Sequence, residues 1–594
     1  MKKNFTKVIS LILAFALVFS IGCTGVCAAE EKESVAITET TAPFVTAITG
    51  EQVNEITKEV IAETGATVKG IFAGMAPLTS WDSFLDNVMK VLYNTLNVIV
   101  EALVKTICFI YPDPDSWKDI SENTSEDILT GDTVYRTTPA PGSFWSLGYS
   151  SRSVIPDDFE AGKYYLGRDL LNKKAQGIYD DMRIRIAVLD DNSGDGAIVF
   201  GALDCLGITS TDTRAIRKAV VQYCKEQGIK VQTVDICATH CHSALDTQGV
   251  STQFFYKLFA NGFNNFFKIF KELPGLEPAT YFKEYFIEQS IIACKEALAD
   301  VEPGRLFYDV VDSSSYVEDK RDLVAKKDLP PIVALKFVPT SGNEDTYIAN
   351  VTCHPTSNSA SHEYVNSDYT YYVDKYIKDH TGANFVMCQG ALGQVSRDIR
   401  VDETGMTEYE SWGADSRELG RLFGSDIIGA EYENELAPII NIKHKEIINK
   451  PENSILALAC EVKLVNNPVY YTEDGTPGIS SEIGYLELGH EIGFAMFPGE
   501  FYPETFWGTE ITGDVSWDGT SWTYPSMHHS VDGIDVYCIS LCDDATGYVV
   551  PDNYFAFMGH IIGEEIADET LSVGKHQASF LLNEYLDMVN NFTK

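Results

Sequence analysis

The chain has 594 residues, with 45 Lys and Arg against 86 Asp and Glu and a net charge of −41. That length allows two to four domains or one large α/β enzyme, and that charge repels nucleic acid and anionic membrane surfaces, so no nucleic-acid partner is expected. Thirteen scattered cysteines without a CxxC pair argue against both a small disulfide-stapled domain and a structural zinc knuckle.

Lys2, Lys3 and Lys7, the apolar run from Val8 to Ile21 and the small-residue site Val26-Cys27-Ala28 read as a signal peptide over residues 1–28. Cys23 raises a lipoprotein alternative, but Ser20-Ile21-Gly22 makes a poor lipobox, so a cleaved, secreted protein is expected. Cleavage leaves 42 of the 45 bases against 86 acids, a net of −44, and eleven of the 13 cysteines. Cys538 and Cys542 are near enough in sequence to pair, whereas Cys205, Cys294 and Cys460 sit in apolar runs and read as small buried hydrophobes. Residues 29–80, rich in Glu, Thr and Ala, read as a linker or mobile arm. Residues 81–135 read as an amphipathic helical segment. Within it Phe84, Val88, Val91, Leu92, Leu96, Val98, Ile99, Leu103 and Ile107 recur at helical spacing, predicting an amphipathic helix over 82–111 that Pro112 and Pro114 stop. Its apolar face either docks on the body of the protein or meets lipid. No stretch after the signal is long enough to cross a bilayer.

From about residue 140 the pattern turns to β then α. Strands are predicted over Arg183–Leu189 and Ala197–Leu203, a helix over Thr213–Glu226 and a strand over Lys230–Cys237. A helix over Tyr281–Ala299 follows, then strands over Ile332–Phe337 and Tyr347–Cys353. A helix over Val365–Asp379 and a strand over Asn384–Gln389 complete the series. The fold class is α/β, a mixed β-sheet core flanked by helices. Sheets of this kind place ligands in loops at the carboxyl ends of strands, and three such exits carry polar residues: His240 and His242, His354, and Ser396. Two histidines at i and i+2 on an extended segment face the same side, which suits a metal ligand and a supporting partner.

Cys237-Ala238-Thr239-His240-Cys241-His242-Ser243 resembles the Ala-Thr-His-x-His-Ser signature of the neutral (non-lysosomal) ceramidase family. Val351-Thr352-Cys353-His354-Pro355-Thr356-Ser357 with Val365-Asn366-Ser367-Asp368 is similar to that family's second histidine loop. Gln389-Gly390-Ala391-Leu392-Gly393-Gln394-Val395-Ser396 resembles its serine loop, Phe497-Pro498-Gly499-Glu500-Phe501 its glutamate loop and Thr546-Gly547-Tyr548-Val549 its tyrosine loop. The motifs run in family order, and the resemblance makes residues 136–594 a zinc hydrolase catalytic domain.

The resemblance implies one catalytic Zn2+ held by His240, His354, Glu500 and Tyr548. Two imidazoles and a carboxylate are a common catalytic zinc set that leaves room for water or substrate, and such a zinc lowers the pKa of its water to about 7. It further implies His242 as a proton handler beside the zinc ligands and Ser396 as the active-site serine, which attacks or orients water. Arg321 becomes an oxyanion stabiliser, although its setting in Glu318-Asp319-Lys320-Arg321-Asp322 equally suits a solvated charge run. Arg397 and Asp398 depart from the family's Pro-Asn after the serine, and Cys241 replaces the usual middle residue and reads as packing. Tyr554 and His560 are stand-ins for an assisting tyrosine. Only 46 residues follow Tyr548, so no C-terminal β-sandwich domain is expected.

Other features are read more plainly. His528-His529 is expected in a surface loop, Asp543-Asp544 as solvated carboxylates or a cation site, and Asp204 as a strand-end residue that lines the pocket or not. The seven phenylalanines between Phe254 and Phe270 suit an apolar lid or a packed helix face. The expected function is secreted, zinc-dependent hydrolysis of linear amides, with N-acyl lipids such as ceramide as substrate. A zinc-activated water or Ser396 attacks the carbonyl. A lipid or other N-acyl amide is thus the expected partner, with peripheral membrane contact through 82–111 or 254–270. The alternatives are a zinc esterase or amidase on another acyl conjugate, and a non-catalytic surface binding protein on the same scaffold.

Overall fold

The computed structural model describes residues 118–119, 128–132, 134–168, 173–252, 282–321, 329–358, 362–461, 464–471, 477–556 and 568–593. The expected signal, the 29–80 arm, the 82–111 helix, the Phe254–Phe270 segment and His560 lie outside them. The chain divides into a unit of residues 107–555 with 571–594 and a second unit of 1–106 with 556–570, of which the structure describes only residue 556 and residues 568–570. Among the described residues no helix is long and apolar enough to cross a membrane.

Ala197-Ile-Val-Phe-Gly-Ala-Leu203 is apolar at every position, which only a strand covered on both faces tolerates, and every one of its residues is buried. It belongs to a nine-stranded mixed sheet. In chain order its strands are Trp145–Ser153 (β1), Arg183–Asp190 (β2), Ala197–Leu203 (β3), Val231–Ala238 (β4), Glu302–Val311 (β5), Ile332–Pro339 (β7), Thr346–Val351 (β8) and Asn384–Gln389 (β9), with the short Asn434–Glu435 on β5. Val317–Asp319 (β6) and Val395–Arg397 (β10) form a separate ladder. The large sheet runs β9-β8-β7-β5-β1-β2-β3-β4, with parallel pairs β8/β9 and β3/β4 at its two edges and antiparallel pairs between.

A six-stranded sheet is built around Ile440–Asn449 (β11), Pro477–Leu488 (β12), Ile492–Met496 (β13) and Asp535–Ile539 (β15). It packs on one face of the large sheet. Phe200, Leu335 and Val386 from one side meet Leu486, Phe494 and Ile539 from the other, and full burial of each such side chain contributes roughly 1.5–3 kcal/mol. The other face of the large sheet is covered by two helix pairs. Ser210–Gln227 (α1) and Lys283–Ala299 (α2) lie over one half, and Asp368–Thr381 (α3) and Ala414–Gly429 (α4) over the other. Gln577–Phe592 (α5) closes the outer face of the small sheet through Leu581, Tyr585 and Val589. The α/β expectation of a mixed sheet core flanked by helices is what the chain forms.

Two helix starts moved for tertiary reasons. α1 begins at Ser210 rather than Thr213 because the Asp544 carboxylate, from far along the chain, accepts the Ser210 N–H at 3.1 Å and caps it. α3 begins at Asp368 rather than Val365, since Val365 is held in a parallel bridge with Ile178. Cys538 and Cys542 do not pair; both are free, buried thiols.

Candidate active site and metal centre

Five strand ends from the two sheets converge. β4 leads to His240, β8 to His354 and β9 to Ser396, while β13 leads to Glu500 and β15 to Tyr548. Backbone bonds stitch the exits together: Ala238 N–H to Leu541 O at 3.0 Å, Ser540 N–H to Gln389 O at 2.9 Å and Glu500 N–H to Gly547 O at 2.9 Å. Glu500–Phe501 (β14) then pairs in parallel with Tyr548–Val549 (β16). Two glycines make this convergence possible. A Cβ on Gly390 would sit 2.1 Å from Thr352 Oγ1, and Gly547, at φ +86°, would place one 1.6 Å from Leu571 O.

His240 sits at φ +66°, an uncommon left-handed conformation for a residue with a side chain. The segment is therefore turned rather than extended, and His240 and His242 meet through the turn, not through strand alternation. Their Nε2 atoms are 3.1 Å apart with rings perpendicular. His240 Nδ1 lies 2.7 Å from Leu206 O and His354 Nδ1 3.2 Å from Leu392 O. Each ring thus donates from Nδ1 to a main-chain carbonyl and turns Nε2 inward. Both Nε2 atoms face one oxygen, Glu500 Oε2, at 3.1 and 3.2 Å. Tyr548 Oη is 3.4 Å from His354 Nε2, its ring stacked on that imidazole. His240, His242 and His354 form a group whose ring nitrogens can hold a metal ion.

The electrostatics follow from this closeness. Burial raises the Glu500 carboxyl, but the His240 and His354 imidazoles outweigh burial and hold it well below the usual carboxylate range. Burial lowers His240, yet the Glu500 carboxylate outweighs it and the net direction is up. His354 is lowered, by burial first. For His242, burial and then the two neighbouring imidazoles push it well below the ordinary value, which keeps the ring neutral.

Ser396 is buried on β10, directly after Val395, whose carbonyl accepts the His354 N–H at 2.9 Å. Arg321 follows β6, the partner strand of β10. It is not part of a solvated charge run. Its guanidinium lies 5.3 Å from the centre of the Tyr502 ring and 5.4 Å from that of Tyr554, and Tyr502 packs edge-on against Tyr548. Tyr554 is therefore near the site, while Cys241 is not: its Sγ points to Ser367 O at 3.0 Å.

Other expectations need correction. Asp543 and Asp544 are fully buried, not solvated. His528 and His529 lie on one 3-10 turn with rings 4.5 Å apart; His528 packs on Trp507 and bonds Val536 O, and only His529 is exposed. Asp204 is a buried brace, bound to Arg185 at 2.8 Å and to Thr239 Oγ1 at 3.3 Å. Gln389 and Tyr369 are positioning residues that no sequence motif singled out. Gln389 Nε2 donates to Thr239 O at 2.8 Å and to Tyr369 Oη at 3.0 Å, and Tyr369 Oη donates to Cys353 O at 2.6 Å. This bridge ties the residue before His240 to the residue before His354. A polar glutamine ending a buried strand was the available signal.

No known family model matches the sequence, and no curated protein matches it. Solved structures do. The neutral ceramidase of Pseudomonas aeruginosa matches with a TM-score of 0.55 at 14% identity, over 75% of this chain and 74% of that one. A ceramidase complexed with C2 matches with a TM-score of 0.53, also at 14% identity, over 75% of each chain. Identity this low speaks to architecture, and on that level the conclusion is plain: this chain has the neutral ceramidase fold.

Proposed function

We propose that the protein is a secreted zinc-dependent hydrolase of linear amides, with N-acyl lipids such as ceramide as its substrate class. The observation that carries this reading is the shared aim of His240 and His354 at Glu500 Oε2, each ring oriented by a carbonyl behind it. Two imidazoles and one carboxylate are a common catalytic zinc set, to which the Tyr548 phenol would add a fourth, more weakly held donor. His240, His354, Glu500 and Tyr548 would hold it. When bound, zinc supplies Lewis acidity toward a carbonyl oxygen and toward water.

The chain's own groups divide the remaining work. His242 accepts a proton from the attacking group and returns it to the leaving amine. Ser396 presents its hydroxyl beside the amide carbonyl, as nucleophile or as the group that orients water. Arg321, held between two aromatic rings, balances the negative charge that develops on the carbonyl oxygen. That the similar structures are ceramidases supports the amide substrate, and the expected leader supports release from the cell.

Incubation with ceramide, N-acyl amino acids and simple esters tests the reading. Fatty acid release from ceramide, absent in a His242→Ala variant, is the expected result. Turnover of simple esters alone would move the protein to the esterase alternative.

A further inference from the structure

A second cluster lies deep between the sheets, away from the histidines of the candidate active site. Asp235 in the middle of β4, His444 on β11, Glu482 on β12 and Asp543 after β15 are each at most 3% exposed. Arg217 of α1 reaches in among them. It bonds Glu482 Oε1 at 2.8 Å, with Asp543 Oδ1 at 3.5 Å and Asp235 Oδ1 at 3.8 Å. Three carboxylates share one guanidinium in the core, an arrangement that is costly unless protons or a cation relieve it.

The hydrogen-bond pattern is also incomplete where it matters. Asp235 Oδ1, Glu482 Oε2 and both ring nitrogens of His444 are buried without a hydrogen-bond partner. His444 Nε2 is 3.6 Å from Asp235 Oδ1, and Nδ1 is 3.7 Å from Glu482 Oε2. The first separation is too long for a hydrogen bond. It is close to the roughly 3.4 Å that separates two ligands of a tetrahedral ion with bonds of about 2.1 Å. Gly484, directly opposite His444 in the β11/β12 register, leaves room for the ring. Asp543 is at φ +60° and locked to β4 by paired bonds with Ile236 at 2.9 Å, which fixes its carboxylate in the cluster.

We propose that Asp235, His444 and Asp543 form a second divalent-metal site, structural rather than catalytic. Glu482 Oε2 lies 3.7 Å behind His444 Nδ1, and Arg217 anchors Glu482. This is the carboxylate–histidine–metal order in which ligand imidazoles are normally oriented. A divalent ion together with Arg217 matches the three carboxylates in charge. The ion ties β4, which carries His240, to β11 of the other sheet and to the loop that carries Tyr548. It therefore braces the candidate active site from below without touching substrate.

The test counts zinc by mass spectrometry in the full-length protein after dialysis against zinc alone. Two equivalents per chain are expected. His444→Gln and His354→Ala should each lose one, and the double variant both. His444→Gln should keep amide hydrolysis below its melting temperature. Asp235→Asn, which keeps the side-chain volume, repeats the count should His444→Gln not fold. One equivalent in the wild type that His444→Gln retains would overturn the second site and leave the catalytic one standing. One equivalent that His354→Ala retains and His444→Gln loses would do the reverse.

Discussion

Glu500 and Tyr548 face each other as direct partners in a parallel ladder of two residues per strand, so one pairing delivers both side chains to the histidines. The Tyr548 ring also stacks on His354 at a centroid distance of 6.1 Å. Tyr548→Phe keeps the stack and removes the phenol oxygen. Zinc affinity and turnover should fall by about 10-fold or more while the melting temperature stays put. Equal zinc affinity in Tyr548→Phe and wild type, by chelator competition, would remove Tyr548 from the ligand set.

Arg321, flanked by the Tyr502 and Tyr554 rings, is the group proposed to stabilise the developing charge. Arg321→Met should lower kcat by about 10²-fold with unchanged zinc content, the usual effect of losing one oxyanion donor. Lysine should rescue poorly, because it lacks the flat stacking surface. Steady-state kinetics on an N-acyl substrate decide this, and an unchanged kcat returns Arg321 to a surface role.

The Gly390 crossing offers a stability test. Gly390→Ala brings a methyl onto Thr352 Oγ1 and should cost about 1–3 kcal/mol by denaturant unfolding. The Thr352 hydroxyl is buried without a hydrogen-bond partner, so Thr352→Ala removes the obstacle cheaply. The double variant should recover most of the loss. Additive losses would mean that the two loops do not meet as described.

Glu504, fully buried with neither carboxylate oxygen hydrogen-bonded, is pushed up to about 8, by burial first and then by the Asp319 carboxylate. A carboxyl raised in the folded state holds a proton that the unfolded chain releases near 4.5. Its contribution is therefore intact below the unfolded value and lost as pH rises toward 8, at up to about 1.4 kcal/mol per pH step. Glu504→Gln should flatten this decline and be more stable than wild type at pH 8.5. Parallel stability curves for the two proteins would contradict it.

Much of this arrangement was legible beforehand because it is local. The apolar runs of β3 and β9 and the polar residues ending β4, β8 and β9 are sequence patterns, and they located His240, His354 and Ser396. What escaped is long-range. Nothing near Ser210 announces that Asp544 caps its helix, and nothing near Asp543 announces a buried pocket shared with Asp235 and His444. Adjacent aspartates look solvated in sequence, and only the packing of the two sheets takes them from water. The left-handed turn at His240 is likewise invisible to a period-two argument, which reached the right pair of histidines by the wrong geometry.

The central claim is that a metal at His240, His354, Glu500 and Tyr548 is required for amide hydrolysis. Turnover of an N-acyl lipid by protein stripped of metal, before and after adding back one equivalent of zinc, measures it most directly. The stripped wild type should show no hydrolysis and recover it with zinc, and His354→Ala should not recover. Full activity in the stripped protein would contradict it.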